Sequence, residues 1–164
     1  MVRLKSRYIL FEILYPNEID IDETTQVTKR DILLRLHRVS PPEISIKSLL
    51  QEIRRSLQVN FGDYGCGKIT SLLQVKYFSN MTSTGIIRCH REDCDLLVAA
   101  LALITKIGDI DSLIINPIKV SGTIKKIEEY AGRRSEKLLS VLKQNTAMAF
   151  DTFADVSEDE DQEV

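Results

Sequence analysis

Apolar and polar positions along the chain first predict four β-strands. Residues 7–15 are rich in aromatic and β-branched side chains and stop at Pro16, as a strand does. Apolar side chains occupy both alternating faces, so we expect both faces of this strand to be covered, as in the centre of a sheet. Pro117, in the last predicted strand, indicates an edge position or a bulge. The other strands are predicted at residues 68–78, 86–90 and 113–120.

Helical spacing predicts the segments between the strands. Ser45, Asp93 and Thr123 are suitable N-cap residues for three of the helices. Glycines within residues 62–67 predict a turn that leads from a helix into the second strand. The helices are predicted at residues 29–39, 46–57 and 96–104, and from residue 124 onward.

The order of these elements is strand, helices, strand, strand, helix, strand, helix, which predicts an α+β fold. This split βαβ arrangement is ferredoxin- or RRM-like, with an antiparallel sheet sandwiched by helices and with extra helices added. In this sheet we place the first and fourth strands antiparallel, on opposite sides of the second and third. We expect a single domain at residues 1–150 with an acidic loop insertion at residues 17–30, then a disordered acidic tail at residues 151–164.

The charge is unevenly distributed along the 164 residues. The net charge is −2, but residues 151–164 contain seven acidic side chains and no lysine or arginine. The rest of the chain therefore has 22 basic against 17 acidic side chains, a net charge of +5. A basic body with an acidic tail is typical of proteins that meet nucleic acid, although the tail by itself could serve solubility alone.

Candidate catalytic and metal-binding residues are few. The two histidines, His37 and His90, accompany no Gly-x-Ser-x-Gly motif, so we predict no catalytic residue. Cys89, His90 and Cys94 form one cluster without the paired spacing of a zinc site, so we predict neither a metal nor a cofactor bound by the chain. An odd number of cysteines and no long apolar run favour a cytosolic or nuclear protein that does not contact membranes.

Basic residues are the remaining candidates for function. Several alternate at the start of the first strand, and others surround the end of the fourth, so we hypothesise one basic surface against RNA phosphates. The alternative is a solvated helix face with i to i+4 salt bridges. The third strand has no aromatic residue, which favours recognition of backbone charge over base stacking on the sheet. The predicted RNA-binding residues are Arg3, Lys5, Arg7, Lys68, Arg88, Lys119, Lys125, Lys126, Arg133 and Arg134.

Three motifs occur in order along the chain, namely the opening stretch Val2–Ile13, the Gly62–Gly65 segment and Val120–Lys125. Together they resemble the Pop-five family of ribonuclease P and ribonuclease MRP subunits. The resemblance spans about residues 2–142. The acidic insertion and the acidic tail are additions to the family's compact form, and they favour a eukaryotic, fungal-like member. Where the family pattern favours arginine, this chain has Lys125, which keeps the charge but not the bidentate geometry.

The resemblance implies a non-catalytic subunit of these two ribonucleoprotein endoribonucleases. In the family, the catalytic RNA cleaves the substrate with bound divalent metal, expected to be Mg²⁺, and the protein supports the RNA core for tRNA 5′-end maturation and rRNA processing. The implied partners are that RNA, a TIM-barrel-like protein subunit, other Pop-type subunits and precursor tRNA. The implied location is the nucleus and nucleolus. Competing hypotheses are a free-standing RNA-binding module of RRM-like topology and a small enzyme or ligand-binding domain of the same topology.

Overall fold

A computed structural model describes residues 4–16 and 26–158, with side chains as far as Lys143. The elements are β1 (Ser6–Leu14), α1 (Lys29–Leu36), α2 (Ile46–Thr70), β2 (Gln74–Ser79), β3 (Thr84–His90), α3 (Cys94–Ala102), β4 (Ile114–Ser121) and α4 (Ile124–Glu158). The four strands form one antiparallel sheet in the order β2-β3-β1-β4. This confirms the α+β class and the split βαβ topology predicted from the sequence.

The neighbours of β1 differ from the expected arrangement. β1 is hydrogen-bonded to both β3 and β4, so the first and fourth strands are adjacent and not separated by the other two. Tyr8 pairs with Arg88 on one side and with Ser121 on the other. The start of β1 therefore lies directly beside the end of β4.

The main hydrophobic core lies between one face of the sheet and the helices α2 and α3. Ile9 and Phe11 of β1 are fully buried there, and Phe11 stacks on Phe78 of β2 with ring centroids 6.3 Å apart. Alternate residues on the opposite face of β1 are also buried, namely Leu10 and Glu12. Both faces of β1 are thus covered, as the apolar pattern predicted.

Glu12 is a buried carboxylate, and its polar partners on that second face include Asn116 and His37. The Asn116 side-chain amide donates a hydrogen bond to Oε1 at 2.9 Å, and His37 Nε2 lies 3.4 Å from Oε2. His37 Nδ1 lies 2.9 Å from the Leu33 carbonyl oxygen. Because a buried carboxylate needs such partners, these contacts tie the end of α1 to the centre of the sheet.

The segment after residue 61 corrects the sequence prediction. Gly62 has φ 68° and ψ −170°, and it kinks α2 without ending it, since the chain resumes helical geometry and continues to Thr70. The predicted helix-to-strand turn and the predicted start of the second strand at Lys68 are therefore wrong, and β2 begins at Gln74. The buried Ile69 packs into the core from this last helical turn.

The predictions for β4 and for the N-cap Ser45 are confirmed. β4 is an edge strand, and its register against β1 shifts between Lys119 and Pro117, which is the bulge expected at a proline. Ser45 caps α2, because its hydroxyl accepts a hydrogen bond from the Ser48 backbone N–H at 3.2 Å. α4 begins directly after Thr123, as predicted.

The chain divides into two units, Met1–Glu129 and Tyr130–Val164. This division lies within α4 and does not coincide with the boundary predicted at residue 150. The backbone of α4 is helical through Glu158, so residues 151–158 are helical where a disordered tail was expected. Residues 17–25 of the acidic insertion and residues 159–164 lie outside the described residues. Among the described helices, none combines the length and the apolar composition that a bilayer crossing requires.

Candidate nucleic-acid interface

A cleft of about 610 Å³ opens where the start of β1 meets the turn between β4 and α4. We call it the first basic cleft, because three of its side chains are cationic and none is acidic. It is lined by Leu4, Lys5, Ser6, Arg7, Tyr8, Arg88, Gly122, Thr123 and Ile124.

Strand pairing explains why residues so distant in sequence share this cleft. The cross-strand row of Arg88, Tyr8 and Ser121 runs over three strands and ends one residue before Gly122. Arg7 Nη1 donates a hydrogen bond to the Ser6 carbonyl oxygen at 3.2 Å. A Cβ atom at Gly122 would lie 3.2 Å from the same nitrogen, so glycine leaves room for the guanidinium group of Arg7.

The first turn of α4 adds to the positive potential of the first basic cleft. Helix N-termini carry partial positive charge, which usually favours acidic side chains in the first turn. Here the first turn has no acidic residue, and the exposed Lys125 and Lys126 occupy it instead. Arg88 Nε is buried without a hydrogen-bond partner among the described residues. These features together make the cleft suited to bind an anionic group such as a phosphate.

A second cleft of about 640 Å³ lies beside the first, and Leu4 and Lys5 line both. We call it the second basic cleft. Its remaining lining residues come from the last helical turn of α2, the end of β3 and the start of α3. They are Gly67, Lys68, Ser71, His90, Arg91, Glu92 and Asp93.

Lys68 is held within the second basic cleft by an ion pair. Its Nζ lies 3.1 Å from Oδ1 of Asp93, which is buried at 2 % exposure. The hydrogen bond and charge of Asp93 raise the pKa of Lys68 above its usual value, so the ammonium form is favoured. Asp93 stands at the N-cap position of α3 but makes no capping hydrogen bond with its side chain. Its carboxylate serves Lys68 instead, and Lys68 is thus only partly available to a phosphate.

The predicted RNA-binding residues do not all come together. Lys5, Arg7 and Arg88 line the first basic cleft. Lys125 and Lys126 come directly after Ile124, which also lines it. Lys119 is exposed on β4, where it pairs with Leu10, and Lys68 lines the second basic cleft. Arg133 and Arg134 lie on α4 within the second unit, and Arg3 lies outside the described residues.

Sequence reasoning missed Arg91 and Gly122 as parts of these clefts. Arg91 directly follows β3, and its backbone N–H donates to the Lys5 carbonyl oxygen at 2.9 Å, which extends the pairing of β1 with β3. Its position beside Lys5 could have been inferred from the antiparallel register once β1 and β3 were paired. The role of Gly122 could not, because it depends on the close approach of the Arg7 side chain.

The side chains of Cys89, Cys94 and His90 contact other side chains of the fold. Cys89 and Cys94 are both buried, and the hydrogen bond to Cys94, together with burial, raises the pKa of the Cys89 thiol. His90 Nε2 lies 3.2 Å from the Ser71 hydroxyl. Across the part of the chain that the structure describes, no three histidine, cysteine or carboxylate side chains are grouped as metal ligands would be.

The sheet topology and the first basic cleft define a small α+β protein with a cationic cleft suited to phosphate groups. The sequence model of the Rpp14/Pop5 family matches residues 7–132, and the chain belongs to that family. This confirms the resemblance seen in the three motifs.

Similar proteins come from fungi and archaea. The chain is 66 % identical over 144 residues to "Ribonuclease P/MRP protein subunit POP5" of Saccharomyces cerevisiae, covering 87 % of this chain and 82 % of the relative. It is 43 % identical over 136 residues to the protein of the same name in Schizosaccharomyces pombe, covering 83 % and 89 %. It is 35 % identical over 131 residues to "Ribonuclease P protein component 2" of Pyrococcus abyssi, covering 78 % and 85 %. The higher identity to the two yeasts agrees with a fungal-like member.

A comparison with solved structures finds a chain in the cryo-EM structure of yeast ribonuclease MRP. The TM-score is 0.45 at 13 % sequence identity, and the match covers 83 % of this chain and 98 % of that chain.

Proposed function

We propose that this chain is a non-catalytic protein subunit of the ribonucleoprotein endoribonucleases ribonuclease P and ribonuclease MRP. In this role it binds and stabilises the catalytic RNA core, which matures tRNA 5′ ends and processes rRNA. Family membership and the names of the relatives support the proposal. The observation that carries it is the first basic cleft, where Lys5, Arg7 and Arg88 meet the first turn of α4.

The charge of this cleft suits an RNA backbone. Cations held by strand pairing contact phosphates without reading bases, and each contact releases counterions. The turn at Gly122 and the lysines that follow it offer further donors at the same place. The cleft thus supports recognition by shape and charge, which suits a folded catalytic RNA.

The partners follow from the same role. We infer that the chain joins the catalytic RNA, a TIM-barrel-like protein subunit, other Pop-type subunits and, at the substrate stage, precursor tRNA, in the nucleus and nucleolus and without membrane contact. The chemistry belongs to divalent metal, such as Mg²⁺, bound by the RNA. Exposed apolar side chains at Leu34 and Val39 provide surface for a protein partner, since exposed apolar patches often mark interfaces.

Affinity purification of the full chain tests the proposal. The wild-type protein should carry a long structured RNA and other protein subunits. The double variant Lys5→Ala/Arg7→Ala should recover much less RNA, because it removes two cations from the first basic cleft. Lys47→Ala is the matched control, since Lys47 is exposed on α2 and lines neither cleft.

Two outcomes would contradict the proposal. In one, the wild-type chain is recovered without structured RNA. In the other, it binds RNA but joins no other subunit, which would favour a free-standing RNA-binding module. Equal RNA recovery by the double variant and the Lys47→Ala control would remove the first basic cleft from the interface.

A further inference from the structure

Tyr64 is an aromatic side chain that the fold leaves in solvent. It lies two residues after the kink at Gly62, and 79 % of it is exposed. Large aromatic side chains are usually buried, where they contribute most to stability. Because its ring lies in solvent, Tyr64 contributes little to the hydrophobic core, and the ring is accessible to a ligand.

A cation is positioned beside this ring. Lys68, one helical turn further along, places its Nζ 6.0 Å from the centroid of the Tyr64 ring. The same Nζ is fixed by the buried carboxylate of Asp93 at 3.1 Å. The ion pair therefore holds a positive charge at the ring, while most of the tyrosine stays open to solvent.

Lys68 lines the second basic cleft, and the Tyr64 ring lies beside Lys68. This cleft is less positive than the first, because Glu92 and Asp93 oppose Lys5, Lys68 and Arg91. Asp93 is already paired with Lys68, so Lys5 and Arg91 remain to meet a phosphate. Gly67 lines the cleft, and a Cβ atom there would meet nothing within 4 Å, so the wall beside Lys68 is open.

The two clefts are contiguous along the segment that leads into β1. Leu4 and Lys5 line both clefts, so a chain of phosphates held in the first can continue into the second. Beyond the second lies the open ring of Tyr64, which can stack on a base only if that base is unpaired. A duplex keeps its bases stacked inside the helix, so none of them is free to stack on the ring.

We propose that Tyr64 and the second basic cleft form a stacking subsite for an unpaired RNA base, next to the phosphate-binding first basic cleft. This inference rests on the proposed function, because it assumes that RNA occupies the first basic cleft. It adds that the chain distinguishes single-stranded from double-stranded RNA through one aromatic side chain that lies outside the sheet.

Fluorescence anisotropy with the full chain tests the subsite. The probes are a single-stranded 12-nucleotide oligouridylate and a blunt RNA duplex of the same length. Tyr64→Ala should weaken binding of the single strand by roughly 5- to 150-fold, the effect of losing one stacked base, and leave duplex binding within about twofold. Tyr64→Phe should bind as the wild type does, because the ring remains. Tyr77→Ala is the matched control, since Tyr77 is 50 % exposed on β2 and lines neither cleft.

The salt dependence separates stacking from charge. Tyr64→Ala should lower single-strand affinity without changing the slope of log K against log salt concentration, because no phosphate contact is lost. Single-strand affinity within twofold of wild type in Tyr64→Ala would overturn the inference. An equal loss for single strand and duplex would also overturn it, and so would a loss of subunit recovery with unchanged RNA affinity, which would assign Tyr64 to a protein contact.

The failure of this inference is distinguishable from failure of the proposed function. If wild-type protein assembles with structured RNA while Tyr64→Ala binds the single strand normally, the subsite is wrong and the proposed function stands. If the wild type recovers no structured RNA, the proposed function fails whatever the oligonucleotides show.

Discussion

At the scale of single residues, Gly85 shows how tightly the sheet packs. A Cβ atom there would lie 2.4 Å from Phe11 Cζ and 2.9 Å from the Tyr77 carbonyl oxygen. We expect Gly85→Ala to lower the free energy of unfolding by about 1–3 kcal/mol, as overpacked cores do. Urea unfolding measures this. Gly67→Ala is the control, because that position is helical with nothing within 4 Å, and it should be neutral or stabilising. Equal stabilities for the two variants would contradict the packing.

The ion pair of Lys68 and Asp93 gives a second prediction for single residues. Lys68→Met should lower the melting temperature, because it leaves the buried Asp93 without a cation, whereas Lys68→Arg should retain much of the stability. Since Asp93 raises the pKa of Lys68, the contribution is complete below the usual lysine pKa and is lost as pH rises through the raised value. The difference in melting temperature between wild type and Lys68→Met should therefore be constant near neutral pH and shrink in alkaline solution. A difference that grows with alkaline pH would contradict this sign.

At the scale of elements, the sequence pattern predicted the strands more accurately than it predicted the structure of the glycine-rich segment. β1, β3 and β4 lie within one or two residues of their predicted bounds, because alternation and proline mark them locally. Residues 62–70 were misassigned, because three closely spaced glycines are typical of a turn. All three lie within α2, where Gly62 forms the kink, and a Cβ atom at Gly65 would approach Phe61 Cβ to 2.5 Å. Glycine is required at position 65 because of this close contact with Phe61. The spacing of glycines in the sequence does not show that contact.

The kink in α2 is the element-scale feature that Gly62 controls. Its φ of 68° with ψ of −170° is a conformation that other residues adopt only with strain. Gly62→Ala should lower the free energy of unfolding by about 1–3 kcal/mol although a Cβ atom there meets nothing within 4 Å. Denaturant unfolding beside Gly67→Ala measures the effect. A Gly62→Ala protein as stable as that control would show that the backbone at this position is not constrained.

A prediction about RNA binding concerns the first turn of α4. Lys125→Ala/Lys126→Ala should weaken binding of a structured RNA and flatten the salt dependence of log K by about one to two units. The melting temperature should barely change, because both lysines are exposed and face the positive end of the helix. Titration of a labelled RNA at several salt concentrations measures this. An unchanged slope would mean that the two lysines form an ordinary solvated helix face.

At the scale of the whole molecule, the excess of positive charge could be predicted from the sequence. The positions of the basic side chains in the fold could be predicted only in part. The excess of basic residues outside the acidic tail was visible in composition, and Lys5, Arg7 and Arg88 were identified as candidates. These side chains lie beside the turn at Gly122 because β1 pairs directly with β4. The prediction from sequence had placed the second and third strands between these two. Tyr64 was read as part of a turn, so its exposure on a helix beside Lys68 emerged only from the fold.

The central claim is that the chain supports an RNA that cleaves, and does not cleave RNA itself. The most direct measurement is cleavage of precursor tRNA with Mg²⁺, by the affinity-purified particle and by the same preparation after its RNA is removed. The intact particle should cleave at the tRNA 5′ end, the RNA-depleted protein should be inactive, and adding back the RNA should restore cleavage. Metal-dependent cleavage by the purified, RNA-free chain would contradict the account.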